Sequence, residues 1–385
     1  MSDTAKRHCN LFPTATDGLL DRKPLPFLPE ELIIQILLWL PVRFLLQLKC
    51  VSKSWKTLIS DPKFAKTHLR SITLNPTITH QRLFSNRFTN KLPRKIRILS
   101  LAVKPLVEIN PSEPITNPVV EFSLEHRILG SCNGLLCLLD IHQRHVKLWN
   151  PSIRYESKNS PTLDSYGKFY ITYHGFGYNH INDKYKVLVV LRMGNHFTEK
   201  VTKTYTFGGG NSWKTIQNFP CHSTELNGKF VSDTLNWVIV KEDVSSIQAV
   251  ILSFDFEKEI CNEVLLPEHD DAHKVCLGVL NNCLCVCLDS NKTHWGFWLM
   301  KKYGVVESWT RFMMIPCDKL QHHVQRPPFY VQLLFVFENG IVLLGVLPKF
   351  VLYNLKNGNL DSPAISYHFL FNEHIYHESL VSPQL

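Results

Sequence analysis

The sequence predicts an α+β multidomain chain: a small all-α helical domain followed by a large all-β, propeller-like domain. Three observations predict it. Between residues 25 and 70 apolar residues recur at helical spacing, with prolines at the boundaries. From about residue 93 the pattern becomes short apolar runs separated by Gly, Asn, Asp and Pro. Within that second region, segments pairing an aromatic with polar residues recur roughly every 40 to 65 residues, the scale of one four-stranded propeller blade with loop insertions.

Residues 1–24 are polar and aperiodic and read as a disordered tail. Pro29 suits a first helical turn, and Glu30 and Glu31 place negative charge where the helix dipole favours it. Pro41 ends that helix. A second apolar stretch, VRFLLQLKCV, follows, then SKSWKTLIS with Val51, Trp55, Leu58 and Ile59 at helical spacing. Asp61-Pro62 marks the next boundary, with Asp61 as cap of a last helix, PKFAKTHLRS. The helical domain thus spans 25–70, residues 71–92 read as a linker, and 93–385 as the β domain.

The first helix raises a question of its own. Between Leu32 and Leu40 only Gln35 is polar. A helix apolar almost all round must be covered on more than one side, and about 45 residues are marginal as an independent core. The cover is either the chain's own β domain or another protein.

In the β region the strands are KIRILSLAV, GLLCLLDI, HVKLWN, KYKVLVVL, TLNWVIV, AVILSFDF, NCLCVCLD and GIVLLGVL. The recurring segments are LWNPS, NSWKTI, LSFDFEKE, ESWTRF and LYNLKNG, with Trp149, Trp213, Phe254, Trp309 and Tyr353 as blade-packing aromatics. A blade cannot bury both faces alone, so several must close into a ring; a pair of β-sandwiches is the rival. Asn133-Gly134 reads as a hairpin turn, and Asn150-Pro151 as a strand end.

Basic charge is concentrated at one end. Residues 1–117 hold 18 Lys+Arg and 8 Asp+Glu, residues 118–385 hold 24 and 25. The 11 cysteines form no framework and read as reduced thiols of the cytoplasm or nucleus. No signal peptide is expected, and no apolar run reaches the roughly 18 residues of a membrane span, so no membrane partner is expected. Cys283, Cys285 and Cys287 lie too far apart along a strand to share one zinc and read as packed thiols. His142 and His145 lack a second ligand pair, Gly208–Gly210 and Gly175-x-Gly177 are not dinucleotide fingerprints, and Glu257 and Glu259 read as solvated charge. No catalytic residue, metal or cofactor is expected.

LPEELIIQILLWLPVRFLLQLKCVSKSWKTLISDPKF resembles the F-box over nearly its full length. Matching positions include Leu28-Pro29, Leu32, Ile36, Leu37, Leu40-Pro41, Leu45, Cys50-Val51, Lys53, Trp55, Leu58-Ile59 and Asp61-Pro62; Phe44 and Gln47 depart mildly. The resemblance implies an acidic Skp-type adaptor and, through it, a cullin and a RING subunit of a ubiquitin ligase. Leu28, Pro29, Leu32, Ile33, Ile36, Leu37, Leu40, Pro41, Leu45, Val51, Lys53, Trp55, Leu58 and Ile59 are then the expected adaptor-binding residues. The remainder resembles the plant F-box-associated, kelch-like domain through ILGSCNGLLCL, KLWNPSIR, GFGYNHINDKYKVL, YTFGGGNSWKTI, LNWVI, ILSFDFEKE, VLNNCLCVCL, FWLMKKYGVVESWTRF and HESLVSP. It departs at Asp233–Trp237, where the family's Gly and His are missing.

Three functions compete. The first is a non-catalytic substrate receptor whose β domain holds a target protein of unknown identity, with loops in 155–170, 192–204 and 318–330 as candidate contacts. The alternative is a propeller-fold hydrolase capped by its own helices. The third, ranked last, is nucleic-acid binding through Lys49, Lys53, Lys56, Lys63 and Lys66; no nucleic-acid partner is expected.

Overall fold

The computed structural model describes residues 28–74, 81–88, 96–103, 119–122, 126–163, 169–193, 199–217, 219–220, 226–243, 246–268, 272–290, 292–323, 330–346, 349–363 and 370–383. The expected tail over 1–24 lies outside them, as do parts of the expected linker and loops.

Four helices come first: α1 (Glu30–Leu38), α2 (Val42–Leu48), α3 (Lys53–Ser60) and α4 (Pro62–Leu74). Pro29 and Pro41 stand at the N-caps of α1 and α2 with φ of −53° and −55°. Proline holds that angle without cost and has no N–H to satisfy. At α3 the Ser52 hydroxyl accepts the Trp55 amide at 3.1 Å. Ahead of α4 the Asp61 carboxylate accepts the Lys63 amide at 2.6 Å. Both are side-chain N-caps.

The reading of 71–92 as a linker is corrected. Helix α4 runs on to Leu74, with Leu69 and Ile72 buried. Gln81–Phe88 is a strand, β1. Its period was hidden because Ser85 and Asn86 are as buried as Leu83 and Phe84, so apolar and polar residues do not alternate.

The rest is a six-bladed propeller, which settles the choice against a pair of sandwiches. After β1 come β2 (Ile96–Ala102) and β3 (Val119–Phe122). The second blade is β4 (His126–Cys132), β5 (Leu135–Asp140), β6 (Val146–Asn150) and β7 (Tyr155–Glu156). The third is β8 (Tyr170–Asn179), β9 (Lys184–Met193), β10 (Glu199–Thr206) and β11 (Lys214–Ile216). The fourth is β12 (Lys229–Val231), β13 (Thr234–Asp243), β14 (Ser246–Asp255) and β15 (Cys261–Val264). The fifth is β16 (Ala272–Leu280), β17 (Cys283–Ser290), β18 (His294–Met300) and β19 (Trp309–Pro316). A short helix, α5 (Cys317–His323), leads to β20 (Val331–Val336), β21 (Ile341–Val346), β22 (Lys349–Asn354) and β23 (Leu360–Asp361). The last strand, β24 (Leu370–His377), returns to the first blade, pairs with β1 and lies against β4. The chain's end thus supplies the innermost strand of its first blade and closes the ring.

The pairing of innermost and second strands shifts register in five blades, at Phe84/Asn86, Ile128/Gly130, Ile171/Tyr173, Ala272/Lys274 and Leu333/Phe335. Bulges of this kind bend and twist a strand, which lets each blade tilt about a common axis.

The aromatic–polar repeat has a structural cause. Trp149-Asn150, Phe254-Asp255 and Tyr353-Asn354 each end a third strand. The Asn or Asp side chain accepts the amide two residues on: Ser152 at 2.9 Å, Glu257 at 2.8 Å, Lys356 at 2.9 Å. Four residues on, Arg154, Glu259 and Gly358 take φ of 54°, 54° and 68°. Trp213 and Trp309 instead lead into or begin the outer strands β11 and β19. Two different positions were merged in the repeat, which is why its spacing is irregular. At the departure from the family pattern, Ser232 and Asp233 form a tight turn with φ of 48° and 62° without glycine.

Between the third and fourth blades, glycine makes room for a close approach. A Cβ at Gly175 of β8 would lie 2.7 Å from both δ-methyls of Leu235 on β13. Gly175→Ala is therefore expected to cost about 1–3 kcal/mol through overpacking, read as a lowered urea midpoint.

Candidate functional site

Helix α1 carries two apolar stripes. Ile33, Leu37 and Leu40 turn inward to a core with Val42, Leu45, Ile59, Phe64 and Ala65. Leu32, Ile36 and Trp39 face outward, 44%, 52% and 68% exposed, and their i, i+4, i+7 spacing puts them on one face. Leu28, Phe44 and Val51 are also exposed, and the Arg43 guanidinium lies over the Phe44 ring at 4.7 Å.

The expected adaptor residues divide accordingly. Leu28, Pro29, Leu32, Ile36, Val51 and Lys53 are exposed; Ile33, Leu40, Pro41, Trp55 and Leu58 are half-buried. Leu37, Leu45 and Ile59 are corrected: each is at most 1% exposed and packs in the chain's own core, so none offers surface to a partner. Trp39 was passed over, though its place one turn past Ile36 could have marked it.

The helices also sit on the propeller. Leu380, which follows β24, joins their core, and Ile153 packs against it; Leu69 of α4 joins the core between the second and third blades. His68 is fully buried, its Nε2 2.8 Å from the Leu40 carbonyl, and burial holds its pKa below the ordinary value. At the rim, Lys66 Nζ and the Tyr178 hydroxyl both donate to the Asp183 carboxylate. Lys66, then Tyr178, lower the Asp183 pKa. The Lys66–Asp183 pair is exposed, so Lys66→Ala should cost under about 1 kcal/mol. Because the folded pKa of Asp183 is depressed, the pair's contribution is present above the ordinary carboxylate range and is lost as pH falls through the depressed value. Urea titrations of both chains across that range would read it.

These docking residues fix which propeller face is covered. Asp183 lies in the turn between first and second strands of its blade, and Ile153 in the turn between third and fourth. In an antiparallel blade those turns share one face. The connections between second and third strands, and between blades, lie on the other. The candidate loops at 155–170, 192–204 and 318–330 have their described ends toward that opposite face. Their extents shrink, because 155–156, 192–193, 199–204 and 318–323 lie in β7, β9, β10 and α5; 164–168, 194–198 and 324–329 lie outside the described residues.

Other sequence candidates fall as follows. Cys285 and Cys287 are buried among Trp295, Phe297 and Val342, and Cys283 is half-buried. His142 is exposed in a turn while His145 is buried. Among the described residues no group of three His, Cys, Asp or Glu is arranged to hold a metal, and no helix is long and apolar enough to cross a membrane. Glu259 is not merely solvated: it takes Lys186 at 3.0 Å and also Lys214. Trp149, Trp237, Trp295 and Trp309 are buried in the propeller.

Comparison with known proteins agrees with this architecture. A model of the F-box domain matches residues 25–67, and one of the F-box associated beta propeller domain matches 90–347. An F-box/kelch-repeat protein of Arabidopsis thaliana is 28% identical over 377 residues, covering 92% of this chain and 96% of that protein. F-box protein CPR1 of the same plant is 26% identical over 321 residues, covering 76% and 74%. Among solved structures, a chain of a Nidogen/Laminin complex covers 77% of this chain and 99% of its own length at 10% identity, TM-score 0.43.

Proposed function

Because this chain belongs to the F-box proteins that carry an F-box associated β-propeller domain, we propose that it is the substrate receptor of a Skp–cullin–F-box ubiquitin ligase. The observation that carries the reading is the outward stripe of Leu32, Ile36 and Trp39, a row of large apolar side chains left open by a helix whose other stripe is already buried. Covering such a row with about 800 Å² of partner surface is typical of a stable complex. The described helical segment, residues 28–74, holds seven Lys/Arg against three acidic residues, a sign suited to steering an acidic Skp-type adaptor.

The propeller's opposite face then holds the target protein. The helices are packed into the propeller by Leu380, Ile153 and Leu69, so adaptor and target are held at a fixed relation. The receptor acts by proximity: it raises the effective concentration of a target lysine near the loaded conjugating enzyme and itself makes and breaks no bonds. The described cysteines form no disulfide, which suits the cytoplasm or nucleus.

A propeller hydrolase capped by its own helices would also use the α4 contact. It gives no role to the exposed stripe of α1. Size-exclusion chromatography of the full chain mixed with a plant Skp-type adaptor and its cullin–RING partners separates the two. Co-elution as one complex is expected of a receptor; separate elution of folded chains would leave the helices as a cap.

A further inference from the structure

Every blade ends in an outer strand, and these strands differ in length. Strands β3, β7, β11, β15 and β23 hold 4, 2, 3, 4 and 2 described residues. Strand β19, Trp309–Pro316, holds 8. Brevity is one way a sheet edge is kept from pairing with another chain, and the fifth blade lacks it. Among the described residues the one strand beside β19 is β18. Trp309, Met313 and Ile315 are buried, while Thr310, Arg311, Met314 and Pro316 are exposed.

The pairing fixes which backbone groups of β19 are open. The Cys317 amide donates to the Thr293 carbonyl at 2.9 Å, and the Lys301 amide to the Ser308 carbonyl at 3.3 Å. Hydrogen-bonded and non-hydrogen-bonded pairs alternate along an antiparallel ladder. Stepping in from these two ends, Gly296–Met314 and Trp298–Arg311 are non-hydrogen-bonded pairs. Met314 and Arg311 therefore direct both N–H and C=O away from β18. Among the described residues no backbone hydrogen bond meets them on that side. Arg311 is the one charged residue of β19. Its guanidinium lies 5.9 Å from the centre of the Trp298 ring and pairs with no carboxylate among the described residues. From Lys301 to Lys319 four Lys/Arg stand against two acidic residues. Opposite charges attract across neighbouring strands and like charges repel, so an acidic strand fits this edge and a basic one does not.

We propose that the outer edge of β19 takes up an extended, acidic segment of another protein as an added strand of the fifth blade. Main-chain hydrogen bonds to Arg311 and Met314 hold the segment, and Arg311 selects its charge. The bulge at Phe312 and Pro316, which has no N–H, keep the usable edge short. That the segment belongs to the ligase target rests on the receptor reading; the pairing itself does not.

The test is amide hydrogen exchange of the full chain with a saturating blocked octapeptide that alternates Thr and Glu. Two controls accompany it: the same peptide with Lys for Glu, and a copy N-methylated throughout, which keeps the charge and loses the N–H donors. The Arg311 and Met314 amides should slow at least about tenfold with the first peptide, the effect of one hydrogen bond, and with neither control. Met314→Pro removes an outward N–H and no bond of the β18 ladder. It should fold, capture a Skp-type adaptor as wild type does, and bind the peptide at least about tenfold more weakly. Adaptor capture thus reads the ligase assignment and peptide protection reads the edge, so either can fail without the other. No slowing in wild type, equal slowing by the N-methylated copy, or undiminished binding by Met314→Pro would overturn the proposal. So would a concentration-dependent dimer in which the same amides are already protected, because a second copy would then fill the edge. Should Met314→Pro not fold, Arg311→Glu decides: a preference reversed to the Lys peptide supports the edge, and an unchanged preference sinks it.

Discussion

Leu32→Asp with Ile36→Asp is expected to abolish capture of a Skp-type adaptor while leaving the melting temperature within about 2 °C of wild type. Both side chains are about half exposed on α1, so the folded chain tolerates charge there, as surface positions usually do. In a complex the same carboxylates would be buried without partners, a cost of several kcal/mol for each ion. A loss of affinity of at least about a hundredfold follows. Leu45→Ala is the informative contrast. Leu45 is fully buried beside Leu37, Val42 and Ile59; its truncation should cost about 2–5 kcal/mol of stability and weaken capture only through unfolding. Calorimetric titration with the adaptor, beside urea denaturation of each variant, separates the two effects. Equal destabilisation by both changes would mean that the outward stripe is core.

The second large effect is expected at Asn150. Its amide nitrogen donates to the Ser379 carbonyl at 3.0 Å and the Val381 carbonyl at 2.8 Å. Its oxygen accepts the Tyr376 hydroxyl at 2.8 Å and the Ser152 amide at 2.9 Å. Every side of this fully buried amide is used, and through it the second blade grips the segment that follows β24. That grip does two jobs. It holds β24 in the ring, and it seats Leu380 in the helical core. Asn150→Leu keeps the volume but strands two carbonyls and the Ser152 amide, each worth about 1–3 kcal/mol when left unpaired, while the Tyr376 hydroxyl keeps Ser152 Oγ at 2.8 Å. A loss of about 3–5 kcal/mol is expected, against about 1–2 kcal/mol for Tyr376→Phe, which removes the hydroxyl's bonds to Asn150 and to Ser152 Oγ. Urea midpoints of the two variants check the ratio. Near-equal values would mean that water replaces the lost partners.

Much of this architecture was legible in the sequence. The prolines at 29 and 41 and the Asp61 cap announce the helices locally, because helix ends are satisfied by near neighbours. The strands from GLLCLLDI to GIVLLGVL announce themselves by apolar runs bounded by turns. What stayed hidden depends on distant partners. Strand β1 reads as linker because its covering strand, β24, lies at the other end of the chain. Asn150 reads as a strand terminator, which it is, while its hold on residues 379 and 381 has no local signature. Within the F-box pattern, Leu37, Leu45 and Ile59 look the same as Leu32 and Ile36. A motif records that a position is apolar, and only packing tells whether its own chain or a partner covers it. The C-terminal placement of β24 also explains why the docked helices, the closing strand and the Asn150 clasp form one unit.

Hydroxyl-radical footprinting of the full chain, with and without a Skp-type adaptor, tests the central assignment most directly. The account predicts that Trp39, Leu32 and Ile36 lose reactivity in the complex, while exposed propeller residues such as Tyr170 and Met314 keep theirs. Unchanged reactivity at Trp39 in a complex that demonstrably forms would contradict it, because the adaptor would then be docked somewhere other than the open stripe of α1.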